Sequence, residues 1–180
     1  MARILKAKEW KSRATPDLAR GLLGRVLATR LEDGAILRRR IVETEAYDGQ
    51  ADLACHASRG RTARTAVMFG PAGVWYVFLC YGVHEMLNLV TGPEGHAAAV
   101  LIRGVEGAVG PGRLTKALGI DRRFNGRPAA REAGLWIEDD GWEIPAGWEI
   151  AAGPRVGVAY AGPDWAARPW RFQLREPAGR

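Results

Sequence analysis

Read for the spacing of apolar positions, the chain divides into one helical segment near its start and a succession of strand-like runs. Leu18, Leu22 and Leu23 recur at helical spacing behind Thr15-Pro16-Asp17, a helix start with Thr15 as N-cap and Pro16 in the first helical position. Residues 26–31 read as a strand, Glu32-Asp33-Gly34 as a hairpin turn, and Ile36-Leu37 leads into a second arm. Residues 74–81 are β-branched and aromatic, Tyr81-Gly82 marks a bend, and residues 83–89 lead on. A small-residue apolar run, 97–102, ends at Arg103. Beyond it the pattern predicts helices over 114–118 and 164–170. It also predicts strands over 135–138, 148–150 and 171–174, a glycine-kinked strand over 153–158, and a frayed tail from 175.

The second arm of the hairpin, Ile41-Val42-Glu43-Thr44-Glu45-Ala46-Tyr47, is the unusual one. Side chains alternate along a strand, so Ile41, Glu43, Glu45 and Tyr47 fall on one face and Val42, Thr44 and Ala46 on the other. Two carboxylates there suit either a charged edge that discourages aggregation or a site. Arg103, directly after a buried run, is a candidate ion-pair partner for Glu43 and Glu45. Residues 48–66 lack any apolar period and carry Asp52, His56, Ser58, Arg59, Arg61, Thr62, Arg64 and Thr65. They read as a phosphate-gripping loop or a solvated one. Gly110-Pro111-Gly112-Arg113 opens a helix whose first amides are free to meet an anion. Trp75, Tyr76 and Phe78 suit a core, whereas a tyrosine at a glycine-marked bend can project outward.

Composition narrows these choices. At 180 residues and 47% apolar, the chain is long enough for one domain, 1–180, with a real core. No apolar run spans a bilayer, and residues 1–6 lack the apolar core of a signal peptide, so no membrane association is expected. Cys55 and Cys80 do not make a disulfide framework, which fits a reducing, cytoplasmic setting, nucleoid-associated in a bacterial-type cell. The net charge is +6, and residues 1–40 hold eleven Lys/Arg against four acids, which favours a polyanionic partner. Cys55, His56, His84 and His96 lack metal-ligand spacing, so no metal is expected. No Gly-x-Ser-x-Gly elbow and no nucleotide-binding glycine pattern is present. Carboxylate chemistry in a basic protein remains, and it points to cleavage of an N-glycosidic bond through an oxocarbenium-like transition state.

Several motifs, in order, resemble the alkyladenine (3-methyladenine) DNA glycosylases. They are Arg40-Ile41-Val42-Glu43-Thr44-Glu45-Ala46-Tyr47, Ala54-x-His56, Met68-Phe69-Gly70-Pro71-x-Gly73, Tyr76-Val77-Phe78-x-x-Tyr81-Gly82, Asn88, Leu101-Ile102-Arg103-Gly104-x-Glu106, Gly110-Pro111-Gly112-x-Leu114 and Pro154-Arg155-Val156-Gly157-Val158. The resemblance runs from about residue 15 to 174. It implies a compact single-domain α+β fold with a curved, largely antiparallel sheet flanked by short helices, and no cofactor. It further implies an enzyme acting on double-stranded DNA that contains a damaged purine; no lysine nucleophile stands in these motifs, so a monofunctional enzyme is expected, with a monomer as the default. Glu45 matches the base that activates water, held with Arg103 and the carbonyl of Val156. Tyr47, His56 and Phe78 match the walls around the flipped base, the Ala54 carbonyl a reader of its edge, and Asn88 the position that rejects the guanine 2-amino group. Tyr81 matches the wedge that fills the duplex. Arg59, Arg61 and Arg64 are the expected phosphate contacts, and Glu43 a supporting residue.

Two positions depart from the family pattern. Phe78 stands where tyrosine is usual, so a pocket hydroxyl is lost. Thr62-Ala63-Arg64-Thr65 replaces Thr-Pro-Arg-Asn, which is expected to loosen the loop. Two rival readings share the features: a non-catalytic damaged-nucleic-acid binding module, and a carboxylate hydrolase of free nucleosides.

Overall fold

The computed structural model describes residues 2–11 and 14–177. Among these residues ten strands join one unclosed sheet, with neighbours pairing antiparallel: β1 (Arg3–Ile4), β2 (Val26–Arg30), β3 (Ile36–Asp48), β4 (Trp75–Cys80), β5 (His84–Thr91), β6 (Ala98–Val105), β7 (Ala108–Val109), β8 (Leu135–Asp139), β9 (Glu149–Gly153) and β10 (Arg171–Arg175). The main path runs β1-β8-β2-β3-β6-β5-β4, with β10 bridging β3 and β9 and β7 hanging from β6. Helices α1 (Thr15–Gly21) and α2 (Pro111–Ala117) pack on the central strands, and α3 (Pro163–Ala166) is a single turn. The fold is α+β, a largely antiparallel sheet with few, short helices. None of these helices is long and apolar enough to cross a membrane.

β3 is the longest strand and changes partners along its length. Ile36–Arg40 pair with β2, residues 41–48 with β6, and Glu43–Glu45 with β10. The pleat then sorts the central sheet. Ala46, Trp75, Val77, Leu87, Leu89, Val100 and Ile102 enter the main core with Leu18 of α1 and with Leu22 and Leu23 just after it. Their strand neighbours Glu45, Tyr47, Tyr76, Phe78, Met86, Asn88, Ala99 and Leu101 face the other way. On that second face, direct cross-strand pairing lays out one row: Glu45 opposite Leu101, Leu101 opposite Asn88, and Asn88 opposite Tyr76. One apolar core therefore supports the whole floor of a second, partly polar surface.

The alternation expected along β3 is broken in one place. Ile41 and Ala46 both belong to the main core although they are an odd number of residues apart. The register against β6 shifts between Ile41 and Glu43 and shifts back between Glu43 and Thr44. Each strand thus contributes one extra residue, and the pair of bulges brackets Glu43 and Arg103. Bulges re-aim side chains beside functional sites; here they put Ile41 in the core and leave Glu43 with Glu45. Gly104 makes room for this, since a Cβ there would lie 3.2 Å from that of Glu43.

Other expectations need correction. α1 starts one residue early, with Ala14 at its N-cap, because the Thr15 hydroxyl is drawn to Asp48 (3.0 Å) and Thr91 (3.2 Å) instead of capping. Arg103 lies inside β6, not beyond it. Residues 154–158 are not strand: β9 ends at Gly153 and the following segment crosses to the second face. The helix expected over 164–170 closes after one turn at Ala166, before Pro169. At the start of α2 the amides of Arg113 and Leu114 are not free, since both donate to the Gly110 carbonyl (3.0 Å). Of the tail, residues 178–180 lie outside the described residues.

The β4–β5 hairpin ends in Tyr81-Gly82-Val83. Tyr81 and Gly82 both have positive φ (50° and 70°), and the Val83 amide donates to the Cys80 carbonyl (3.1 Å). Such a turn favours glycine at both central positions. Tyr81 is the one non-glycine residue with positive φ among those described, and its side chain is 94% exposed, so no packing compensates the strain. Tyr81→Gly is therefore expected to raise stability, by about 0.5–1 kcal/mol, seen as a higher denaturation midpoint with an unchanged slope.

Candidate active site

On the second face Glu45 has no solvent exposure. Three groups hold its carboxylate. The Val156 amide donates to Oε1 (2.8 Å), the Tyr47 hydroxyl donates to Oε2 (2.8 Å), and Arg103 Nε lies 3.6 Å from Oε1. Burial pushes the Glu45 carboxyl above the usual carboxylate range, and the Arg103 charge and the two donors only partly offset it. Tyr47 in turn is held far above the ordinary phenol range, by burial first and then by the Glu45 charge, so it keeps its proton and remains the donor.

Arg103 is bound more closely to Glu43 than to Glu45. Its Nε donates to Glu43 Oε1 (3.0 Å), which also accepts from Arg171 Nε (2.6 Å). Two carboxylates and two guanidiniums thus form one balanced cluster, and Glu43 anchors Arg103 rather than facing the cavity. β10 contributes Arg171 because its register places that residue directly opposite Glu45.

Beside this cluster lies a cavity of about 290 Å³. Tyr47, Ala54, His56, Phe78, Tyr81, Asn88 and Val156 all line it, so the sequence-predicted pocket residues converge from β3, the 48–66 loop, β4, β5 and the 154–158 segment. Tyr76, Met68, Met86, Leu101 and Tyr160 complete the wall. The lining is aromatic and apolar with a few polar edges, the usual make-up of a small-molecule pocket.

His56 packs edge-on against Phe78, with ring centroids 4.6 Å apart, and its Nδ1 lies 3.4 Å from the Tyr76 hydroxyl. Its outer edge is open, yet the protein packed around the ring, and secondarily the Arg64 charge, lower its pKa to about 4. It is neutral near pH 7. A hydroxyl reaches this histidine from Tyr76, two residues before Phe78 in the same strand. Asn88 is buried and donates through Nδ2 to the carbonyls of Tyr76 (3.2 Å) and Met86 (3.3 Å).

The loop arginines stand outside the cavity. Arg64 lies over the Phe78 ring (4.7 Å from its centroid) and Arg61 over Phe69 (6.0 Å). Arg59 and Arg64 line an adjoining open groove with Ser58 and Thr62. At the position of its departure from the family pattern, this loop carries local hydrogen bonds. Thr62 N donates to Thr65 Oγ1 (2.9 Å), Thr65 N donates to Thr62 Oγ1 (3.2 Å), and the Thr65 hydroxyl reaches the Gly60 carbonyl (3.2 Å). Two threonines close the turn reciprocally.

Two parts of the site were not legible as such. The first is Arg155, whose guanidinium is fully buried and bonds both oxygens of Asp52 (2.5 and 2.9 Å), the Ala46 carbonyl (2.9 Å) and the Trp165 carbonyl (3.2 Å). It stacks between Tyr47 (4.8 Å) and Trp170 (5.1 Å). Arg155 stands in a family-like motif and Asp52 in the polar loop, but nothing in their spacing foretells a buried pair. The second is Tyr160, whose hydroxyl donates to the Ala54 carbonyl (2.9 Å). That carbonyl is thus already engaged. Val156 likewise meets Glu45 through its amide, not its carbonyl.

Asp52→Ala would strand a buried guanidinium and is expected to cost about 3–5 kcal/mol, read from urea unfolding. Glu45→Gln should behave oppositely. A carboxyl whose pKa is raised by folding contributes stability below its unfolded value and loses it as pH rises through the folded value. The ionised Glu45 therefore burdens the neutral-pH fold. Glu45→Gln is expected to melt no lower than wild type at neutral pH, with wild type gaining on it as pH falls. A large loss at neutral pH would contradict this.

The chain matches the family model described as Methylpurine-DNA glycosylase (MPG) over residues 9–109 and 107–178. A protein of Anaeromyxobacter sp. (strain Fw109-5) is 51% identical over 177 residues, covering 93% of this chain and 88% of its own. One of Methanocella arvoryzae is 45% identical over 185 residues, with 92% and 90% covered. One of Synechococcus sp. (strain JA-3-3Ab) is 40% identical over 194 residues, with 95% and 96% covered. All three bear the name "Putative 3-methyladenine DNA glycosylase". Similarity of this extent, over nearly the full length of each partner, shows that the chain belongs to the methylpurine-DNA glycosylase family.

Proposed function

We propose that this DNA glycosylase flips alkylated or deaminated purines, such as 3-methyladenine, 7-methylguanine and hypoxanthine, out of duplex DNA. It hydrolyses their N-glycosidic bond with a water activated by Glu45, and it acts as a monomer. The observation that carries the reading is the shielded Glu45 carboxylate, its pKa raised by burial, set beside an aromatic cavity. A base with its pKa moved toward the working pH takes a proton more effectively. A carboxylate accepts about four hydrogen bonds; Tyr47 and Val156 use two, and Arg103 lies against the same Oε1. Capacity for one water therefore remains, on Oε2.

In the proposed step the water oxygen bonds to the sugar C1′ as the bond from C1′ to the purine nitrogen breaks. The water proton passes to Glu45, and the electron pair leaves with the base. An alkylated, cationic purine departs neutral. Hypoxanthine departs as an anion unless protonated, and should react more slowly. Tyr47, His56 and Phe78 would surround the extruded base, with Asn88 beneath it. With Nδ1 accepting from Tyr76, neutral His56 would carry its proton on Nε2 and offer it to the base edge. Arg59, Arg61 and Arg64 would grip phosphates. Tyr81, exposed on a strained hairpin tip at the cavity mouth, would fill the gap in the duplex and offset the cost of unstacking. Among the described residues, those lining the cavity include no lysine, which suits a product that is an abasic site rather than a cut strand.

The test incubates duplexes carrying one hypoxanthine, and methylated duplexes, with wild type and Glu45→Gln, then cuts abasic sites with alkali. Wild type is expected to release the base and the variant to bind without releasing it. Lesion binding by both without cleavage would leave a binding module instead, and activity on free nucleosides that ignores salt would favour a nucleoside hydrolase. The single-turnover rate should rise with pH through the raised Glu45 pKa. That limb lies above the ordinary glutamate value of about 4.3, and no inflection from His56 is expected near neutrality.

A further inference from the structure

The Ala54 carbonyl is a buried acceptor on the cavity wall, and its peptide is fixed from behind because the Ala54 amide donates to Asp52 Oδ1 (3.0 Å). Asp52 is itself locked by Arg155. One face of that carbonyl is taken by the Tyr160 hydroxyl (2.9 Å), from a ring that is 68% exposed and lines the same cavity. So exposed a ring gains little from burial; its ordered contact is this hydrogen bond.

We infer that Tyr160 is a specificity-determining residue: by occupying the Ala54 carbonyl, it weakens that fixed acceptor toward purines that present an N–H donor at that edge. This rests on the glycosylase reading above. A carbonyl has two lone pairs, so a second donor can bind, but it shares electron density already drawn toward Tyr160 and must fit beside the phenol. The Tyr160 proton is committed to Ala54, so the phenol offers the base only an acceptor lone pair, not a donor. Hypoxanthine carries N1–H on this edge and must compete for Ala54. 1,N6-ethenoadenine has no N–H there, because its N1 and N6 are closed into a ring, and it loses nothing.

Removing the single hydroxyl tests this directly. Tyr160→Phe keeps the ring, lies at an exposed position and should leave the melting temperature unchanged. Single-turnover excision is measured for wild type and Tyr160→Phe on two duplexes of identical sequence, one with hypoxanthine and one with ethenoadenine. Contacts to the duplex cancel in the ratio of the two rates. The hypoxanthine-to-ethenoadenine ratio is expected to rise by roughly two- to tenfold, the worth of one neutral hydrogen bond. An unchanged ratio, including an equal loss on both lesions, would show that Tyr160 merely shapes the loop and would overturn the inference. A fall in the ratio would overturn it too, by making the hydroxyl itself a partner of the inosine-type base. Equilibrium binding of the same duplexes to Glu45→Gln, with and without Tyr160→Phe, reads the ratio without turnover. A wild type that binds but never cuts would defeat the glycosylase reading, while the binding ratio would still decide the role of Tyr160.

Discussion

A carboxylate with no access to water must be held by donors, and most of the second face of this sheet follows from that requirement at Glu45. Moving such an ion out of water costs several kcal/mol even after relaxation. The chain meets the cost from three separate directions: an amide from the 154–158 segment, a hydroxyl two residues along β3, and a guanidinium from β6. The compensation is deliberately incomplete in its effect. Arg103 lies closer to Glu43 than to Glu45, and Arg171 also goes to Glu43, so the nearest full positive charge is half spent on a neighbour. Burial outweighs attraction, and the carboxyl is left more basic than an ordinary glutamate. Moving Arg103 toward Glu45 would make the ion comfortable and the base weak.

The opposite charge, Arg155, is buried on the far side of Tyr47. A buried ion pair such as Arg155–Asp52 is a poor source of net stability, since a well-packed apolar pair of the same volume would do as well. Its effect here is positional. One guanidinium fixes the Ala46 carbonyl on β3, the Asp52 end of the loop that carries Ala54 and His56, and the Trp165 carbonyl. Val156, the next residue in the chain, then has little freedom in where it directs its amide at Glu45. Tyr47 is clamped between the two systems, with its hydroxyl on the carboxylate and its ring on the guanidinium. Apolar substitutes could fill the volume, but they could not tie three segments to one point.

The parts legible in the sequence were those set by local period and turn chemistry. The β2–β3 hairpin, the strand that ends at the Tyr81-Gly82 bend, and the pairing of Arg103 with Glu43 and Glu45 all appear as read. Where alternation was trusted too far, it failed at Ile41, because a bulge is a property of two strands in register and leaves no mark on one. Residues 154–158 have strand-like composition, yet the buried Arg155 holds them as an irregular crossing, a tertiary demand overriding propensity. The motifs brought the pocket residues together in name. They could not disclose that the Ala54 carbonyl is shared, that Val156 contributes its amide, or that Tyr76 stands behind His56, since each depends on which atom faces which.

The same atomic detail bears on leaving-group chemistry in the proposed reaction. The imidazole on the cavity wall has its pKa lowered to about 4, and the phenols of Tyr47 and Tyr76 are shifted upward. None of these groups can give up a proton readily near neutral pH. Asn88 and the Ala54 carbonyl have none to give. A pocket lined this way supplies stacking, shape and a few hydrogen bonds but no acid. A purine that already carries positive charge needs no acid, whereas a neutral purine must leave against the full cost of its anion or be stabilised by the neutral His56 alone. Burial thus makes Glu45 a better base, while the protein packed around the His56 ring, with the Arg64 charge, leaves no imidazolium near neutral pH to act as an acid, so the same surroundings favour the attacking step and limit the departing one.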